Sequence, residues 1–147
     1  MKKTSTRFVA FFLMAVMLLG MVPMNAFAEG GSVSTYEEFM EEYYEEVNER
    51  ELRGRGVSYC ATCDGEFFTG KEVYVVGGGF AAAEESVFLT KFARHVTILV
   101  RGDDFTCATT VAEKAKNHEK ITVIYNTVVE EVNGENGLNY IRYKNTN

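Results

Sequence analysis

The chain has 147 residues, 46% of them hydrophobic and 24% charged, which bounds it at one small domain with an appendage. Fifteen Lys and Arg against 21 Asp and Glu leave a formal net charge of −6 at pH 7, a field that repels phosphate backbones. No basic cluster or internal repeat offsets this, so nucleic acid is disfavoured as a partner.

Residues 1–28 have the three parts of a secretory signal peptide. Lys2, Lys3 and Arg7 give a positive start, residues 8–21 are an apolar run, Pro23 breaks the helix, and Ala26-Phe27-Ala28 fits a small-x-small cleavage site before Glu29. A retained anchor would need about 20 apolar residues. Removal leaves 119 residues and takes the net charge from −6 to −9. The expectation is a secreted or extracytoplasmic protein that meets a membrane only through its leader.

Residues 29–34 read as a short linker. Over 36–52, Tyr36, Phe39, Met40, Tyr43, Tyr44 and Val47 recur at helical spacing, with glutamates filling the other face. This predicts an acidic amphipathic helix, capped by Ser34 with Glu37 three residues on. Residues 29–52 therefore form an appendage, and 53–147 the domain proper. Arg53-Gly54-Arg55-Gly56 marks the boundary.

Next comes Cys60-Ala61-Thr62-Cys63-Asp64-Gly65. In an oxidising compartment a Cys60–Cys63 disulfide would persist. A helix start would lower the pKa of its thiolate, and Asp64 stands ready to give or take a proton during exchange. A structural staple is the competing reading, though so short a loop contributes little stability. Metal is disfavoured, because neither His95 nor His118 supplies a second ligand pair at suitable spacing. In a thioredoxin fold such a pair follows a strand and opens a helix; here it precedes a Gly-rich turn, which disfavours that fold. Cys107 is left over, as a buried thiol or an intermolecular partner.

Residues 72–76 then read as a strand, 80–94 as a helix, 95–100 as a strand, 108–117 as a helix and 121–125 as a third strand. Such a series implies parallel strands with right-handed crossovers. Residues 128–132 and 138–143 flank Gly134-Glu135-Asn136-Gly137 as a hairpin. The fold class is α/β, a Rossmann-like nucleotide-binding domain with a parallel β-α-β core and a β-meander. Between the first strand and helix, Gly77-Gly78-Gly79-Phe80-Ala81-Ala82 fits G-x-G-x-x-A. Gly77 permits the tight turn, Gly79 lets backbone approach a pyrophosphate, and Ala82 lets the helix pack on the strand. The second strand ends in Arg101-Gly102-Asp103-Asp104, where Arg101 is the one basic group available to a ribose phosphate. The choice between NADPH and NADH stays open.

Two motifs at this separation resemble the low-molecular-weight thioredoxin reductases, specifically their pyridine-nucleotide domain, over 53–147. Residues 54–65 resemble the family's redox segment almost throughout, and Phe67-Phe68-Thr69-Gly70-Lys71, Gly77 to Gly79, Ala82 and Glu84-Glu85 continue it in register. The resemblance implies that Cys60 and Cys63 form the redox disulfide, that Asp64 protonates a leaving thiolate, and that Gly77, Gly78, Gly79 and Ala82 hold the dinucleotide. It implies electron flow from NADPH through FAD to the cysteines, with a thioredoxin-like protein or a separate flavoprotein as partner.

Departures accompany the likeness. Phe80 and Ala81 replace the family's Asp or Asn and Ser or Thr. Val100, Arg101, Gly102 and Thr106 stand where the family has His-Arg-Arg and a further Arg. No G-x-G-x-x-G precedes the cysteines, and the chain stops where the return to a flavin domain is expected. An oxidoreductase domain incomplete as a stand-alone reductase is the leading reading. The alternative is a non-catalytic exported module that binds a nucleotide or a protein; homo-oligomerisation is open in both.

Overall fold

The structure, a computed structural model, describes residues 49–147 and, as backbone alone, Lys2–Ser5 and Val9–Leu13. In chain order the elements are β1 (Lys2–Ser5), β2 (Val9–Leu13), a 3-10 turn at Arg50–Leu52, β3 (Val57–Ser58), α1 (Ala61–Asp64) and a second 3-10 turn at Gly65–Phe68. Then follow β4 (Glu72–Val76), α2 (Phe80–Leu89), β5 (His95–Leu99), α3 (Thr109–Lys116), β6 (Ile121–Ile124), β7 (Thr127–Asn133) and β8 (Tyr140–Asn145). A parallel sheet runs in the order β3-β2-β4-β5-β6, and an antiparallel sheet in the order β1-β8-β7.

Side-chain alternation decides what covers each face of the parallel sheet. Val73 and Val75 of β4 join Val96 and Ile98 of β5 in a core with Ala82, Ala83 and Leu89 of α2 and Ala115 of α3. The intervening Tyr74 and Leu99 point the other way, into a second core with Val129, Val132, Leu138 and Ile141 of the β7–β8 hairpin. Strands buried on both faces need near-continuous apolar residues, which explains why 72–76 and 95–99 are so rich in Val, Ile and Leu. Each fully buried side chain of this size contributes roughly 1.5–3 kcal/mol relative to exposure. Parallel registers run from Glu72↔His95 to Val76↔Leu99 and from Val96↔Ile121 to Leu99↔Ile124, with α2 and α3 as the crossovers. The mixed α/β core and its meander match the expectation from sequence.

The boundaries depart from it in places. The helix expected over 80–94 ends at Leu89, because the Thr90 hydroxyl bonds back to the Val87 carbonyl at 2.7 Å and the next amides close turns instead. Arg94 N–H then donates to the Lys71 carbonyl, steering the chain into β5 beside β4. The first hairpin strand is longer than expected, with a bulge between Val129 and Glu131, and the second is shifted two residues toward the C-terminus. Its turn docks on the segment before β3: Leu138 N–H donates to the Arg55 carbonyl at 2.7 Å, and a Cβ on Gly137, at φ +135°, would sit 2.8 Å from that oxygen.

Two short elements, β3 and α1, were not anticipated, and neither were β1 and β2. Val9–Leu13 pairs in parallel with both β3 (Phe11↔Val57) and β4 (Val9↔Glu72 to Leu13↔Val76), while Lys2–Ser5 pairs antiparallel with β8. Apart from these two strands, the leader expected over 1–28 lies outside the described residues, as does the linker at 29–34. The acidic helix expected over 36–52 also lies outside them up to residue 48, and its last residues form the 3-10 turn at Arg50–Leu52.

Candidate redox and nucleotide site

Cys60 and Cys63 are joined in a disulfide with their Cα atoms 5.3 Å apart. Cys60, in extended conformation, is the N-cap of α1, and its Sγ accepts from Cys63 N–H at 3.2 Å. The Thr62 hydroxyl lies 3.4 Å from the same sulfur. Cys63 is exposed and Cys60 half-buried, so an external thiol has access to the pair. The cysteines follow strand β3 and open helix α1, the local order expected of a thioredoxin fold. The distinction lies in what comes next, a parallel sheet with a glycine turn.

Asp64 closes α1, its N–H donating to the Cys60 carbonyl at 3.1 Å. The Ser58 hydroxyl donates to Asp64 Oδ2 at 2.5 Å and accepts from Cys60 N–H at 3.3 Å. Asp64 also faces a cavity of about 950 Å³, walled by the Arg55 turn, Phe67, Lys71 and the hairpin tip at Glu135.

The glycine turn is built as the spacing predicts. Gly77 takes φ +144°, and a Cβ there would meet the Ala82 Cβ at 3.2 Å. Ala82 is fully buried, so α2 sits close on β4 because both positions are small. A Cβ on Gly78 would lie 2.7 Å from Val100 Cγ1. Gly79 caps α2 without a side-chain partner, and the helix's first turn holds no acidic residue. The first amides of a helix have no intrahelical acceptor, so this end suits an anion. A dinucleotide pyrophosphate fits these residues.

Arg101 is exposed just beyond β5 and makes no ion pair among the described residues. Asp104 is paired: its Oδ1 accepts from Lys116 Nζ at 2.5 Å and from Phe105 N–H at 2.8 Å. The hydrogen bond from Lys116 holds the Asp104 carboxyl below the usual range. Part of the acidic charge beside Arg101 is thereby compensated.

One contact missed in the sequence joins the two motifs. Glu85 of α2 accepts from Ala61 N–H through Oε2 at 3.2 Å, pinning the cysteine turn to the helix that opens at the glycine turn. Glu85 lies five positions after Phe80, roughly 7.5 Å along the helix axis. Cys107 is a free, half-buried thiol packed against the helix-side core. Among the described residues no group of three His, Cys, Asp or Glu gathers for a metal.

Residues 72–146 match the family model described as pyridine nucleotide-disulphide oxidoreductase. The chain belongs to this family. Among curated relatives, thioredoxin reductase from Peptoclostridium litorale is 50% identical over 97 residues, covering 66% of this chain and 31% of the relative. Thioredoxin reductase from Bacillus subtilis (strain 168) is 52% identical over 89 residues, 60% of this chain and 28% of that one. The solved thioredoxin reductase of Lactococcus lactis superposes with a TM-score of 0.67 at 41% identity, over 69% of this chain and 34% of that structure. The chain thus spans about a third of the length of the relatives it matches. In the family match, the β4–glycine turn–α2 unit and the meander fall inside the matched residues, and the cysteine turn lies just before them.

Proposed function

We propose that the chain is the disulfide- and nucleotide-bearing domain of a thioredoxin-reductase-like oxidoreductase, exchanging Cys60–Cys63 with the dithiol of a thioredoxin-like protein. The Glu85–Ala61 hydrogen bond carries this reading, because it ties an accessible disulfide to the helix that receives a dinucleotide. In the exchange a thiolate of the partner attacks one sulfur of the pair, and the S–S bond breaks. The departing sulfur takes the electron pair and is protonated by Asp64; the partner's second thiol then resolves the mixed disulfide. Two electrons leave the partner dithiol, which becomes a disulfide, and the reverse reaction reduces an oxidised partner.

Gly77, Gly78, Gly79 and Ala82 hold the nucleotide pyrophosphate in this reading, with Arg101 at the ribose end. A bound NADPH or NADH supplies hydride. By resemblance a flavin relays electrons between nucleotide and disulfide; a separate flavoprotein is the proposed partner that supplies it, and no described residue is assigned to the flavin. Export through residues 1–28 belongs to the same proposal, with a mature start at Glu29 checked by N-terminal sequencing of the secreted chain.

The test has three arms on the full-length chain. Dithiothreitol titration with thiol alkylation and mass measurement is expected to show reversible reduction of Cys60–Cys63. Calorimetric titration with NADH and NADPH is expected to show binding. NADPH with an aromatic disulfide, without added flavoprotein, is expected to give no turnover. Turnover there would overturn the proposed division of labour. An inert pair with no nucleotide heat would leave the non-catalytic exported module.

A further inference from the structure

We infer that Ser58 is a positioning residue for Asp64, holding the acid in place for exchange at Cys60–Cys63; this rests on the redox reading proposed above. Ser58 is only 4% exposed, in the two-residue strand β3, and its hydroxyl is committed on both sides. It accepts from Cys60 N–H at 3.3 Å and gives its single proton to Asp64 Oδ2 at 2.5 Å. One buried hydroxyl thus joins the backbone of the first cysteine to the carboxyl of the proposed acid. A hydroxyl has one proton to donate, so its orientation is set by the carboxylate it serves.

The other charged groups around Asp64 are placed differently. Glu85, packed against α1 from α2, is engaged with Ala61 N–H. Arg55, Lys71 and Glu135 share the cavity wall with Asp64. Among the described residues Ser58 alone reaches both the acid and the cysteine backbone, so it fixes one carboxyl oxygen and leaves Oδ1 to carry the proton. During reduction by a dithiol, the attacking thiolate forms a bond to one sulfur and the S–S bond breaks. The leaving thiolate takes the proton from Asp64, and the dithiol ends as a disulfide. Without the hydroxyl the carboxyl rotates freely and the cysteine amide loses its acceptor.

The test measures the rate at which dithiothreitol reduces the pair in the full-length chain, for Ser58→Ala, Asp64→Asn and the double variant, with Ser58→Thr as the rescue. A positioned acid contributes on the order of tenfold or more, so Asp64→Asn is expected to slow reduction at least about tenfold, and Ser58→Ala about three- to tenfold. Because Ser58 acts through Asp64, the double variant is expected to be no slower than Asp64→Asn alone, and Ser58→Thr to stay within about twofold of the wild type. A merely structural serine would make the two effects multiply, and that result overturns the inference, as does wild-type speed in Ser58→Ala. Should Ser58→Ala not fold, Ser58→Gly serves as the second hydroxyl-free variant in the same cycle. If Asp64→Asn slows reduction and the serine variants do not, the positioning role alone falls. If Asp64→Asn reacts at the wild-type rate, or dithiothreitol leaves the wild-type pair oxidised, the redox reading falls with it.

Discussion

At Gly77 a single hydrogen atom does what no side chain could. Its φ of +144° is costly for an L side chain, and a Cβ there would press on Ala82 at 3.2 Å. Gly77→Ala is expected to destabilise the chain by about 1–3 kcal/mol and to abolish nucleotide binding, measured by urea unfolding and by calorimetry. Glu49 is the other residue whose environment sets a measurable property. It is fully buried, and burial pushes its carboxyl from 4.5 up to about 7, with the Tyr59 hydroxyl offsetting part of the rise. The folded state therefore favours the neutral acid. The stability tied to this group is fully present below about pH 4.5 and is lost as the pH rises through about 7. Glu49→Gln is expected to flatten that decline, by on the order of 2–3 kcal/mol in urea unfolding compared at about pH 4.5 and pH 8. Cys60, Cys63, Asp64, Gly77 to Gly79 and Ala82 were legible because their chemistry lies in short motifs. Ser58 and Glu85 were not legible as partners, since a hydroxyl or carboxylate gains meaning only from what the fold brings to it.

At the scale of elements, the join between α1 and α2 matters most. A four-residue helix has little stability of its own, because helix nucleation is unfavourable. The carboxylate of Glu85 satisfies one of its orphan amides from another element, 24 residues away. Glu85→Ala is expected to cost about 0.5–2 kcal/mol, the usual range for losing a helix-terminal partner. The same variant is expected to speed reduction of the disulfide by loosening its turn, while Glu85→Gln, which keeps an acceptor, stays near wild type. Thermal unfolding and thiol alkylation read the two effects separately. The strands β4, β5 and β6 were visible in the sequence because apolar runs bounded by Gly and charged residues leave few alternatives. The end of α2 was not, because Thr90 halts it with a hydroxyl-to-carbonyl bond that periodicity does not register. The hairpin was visible from Gly134 to Gly137, although its docking on Arg55 was not.

For the whole molecule, the apolar residues near the start admit two readings. The run that reads as the core of a signal peptide contains Val9–Leu13, which pairs with β3 and β4 inside the parallel sheet. A short apolar run suits a leader and a buried strand equally, and periodicity does not separate them. A chain of residues 29–147 gives up that strand and Lys2–Ser5, leaving an edge of β4 without its partner. It is expected to unfold at lower temperature than the full chain and to bind more of a hydrophobic dye, as unpaired apolar strand edges do. Equal melting temperatures and dye binding would show that the sheet does not need them. The sequence by itself determined the α/β class, the order of the elements from β4 to β8 and the family, because these depend on local periodicity and on motifs of a few residues. Only the tertiary structure decided that Ser58 hydrogen-bonds Asp64, that Glu85 joins the cysteine turn to the helix opening at the glycine turn, and that Lys116 pairs with Asp104. The physical reason is that a hydrogen bond or ion pair between distant residues depends on where packing places them, and the linear order of the chain carries no record of that distance.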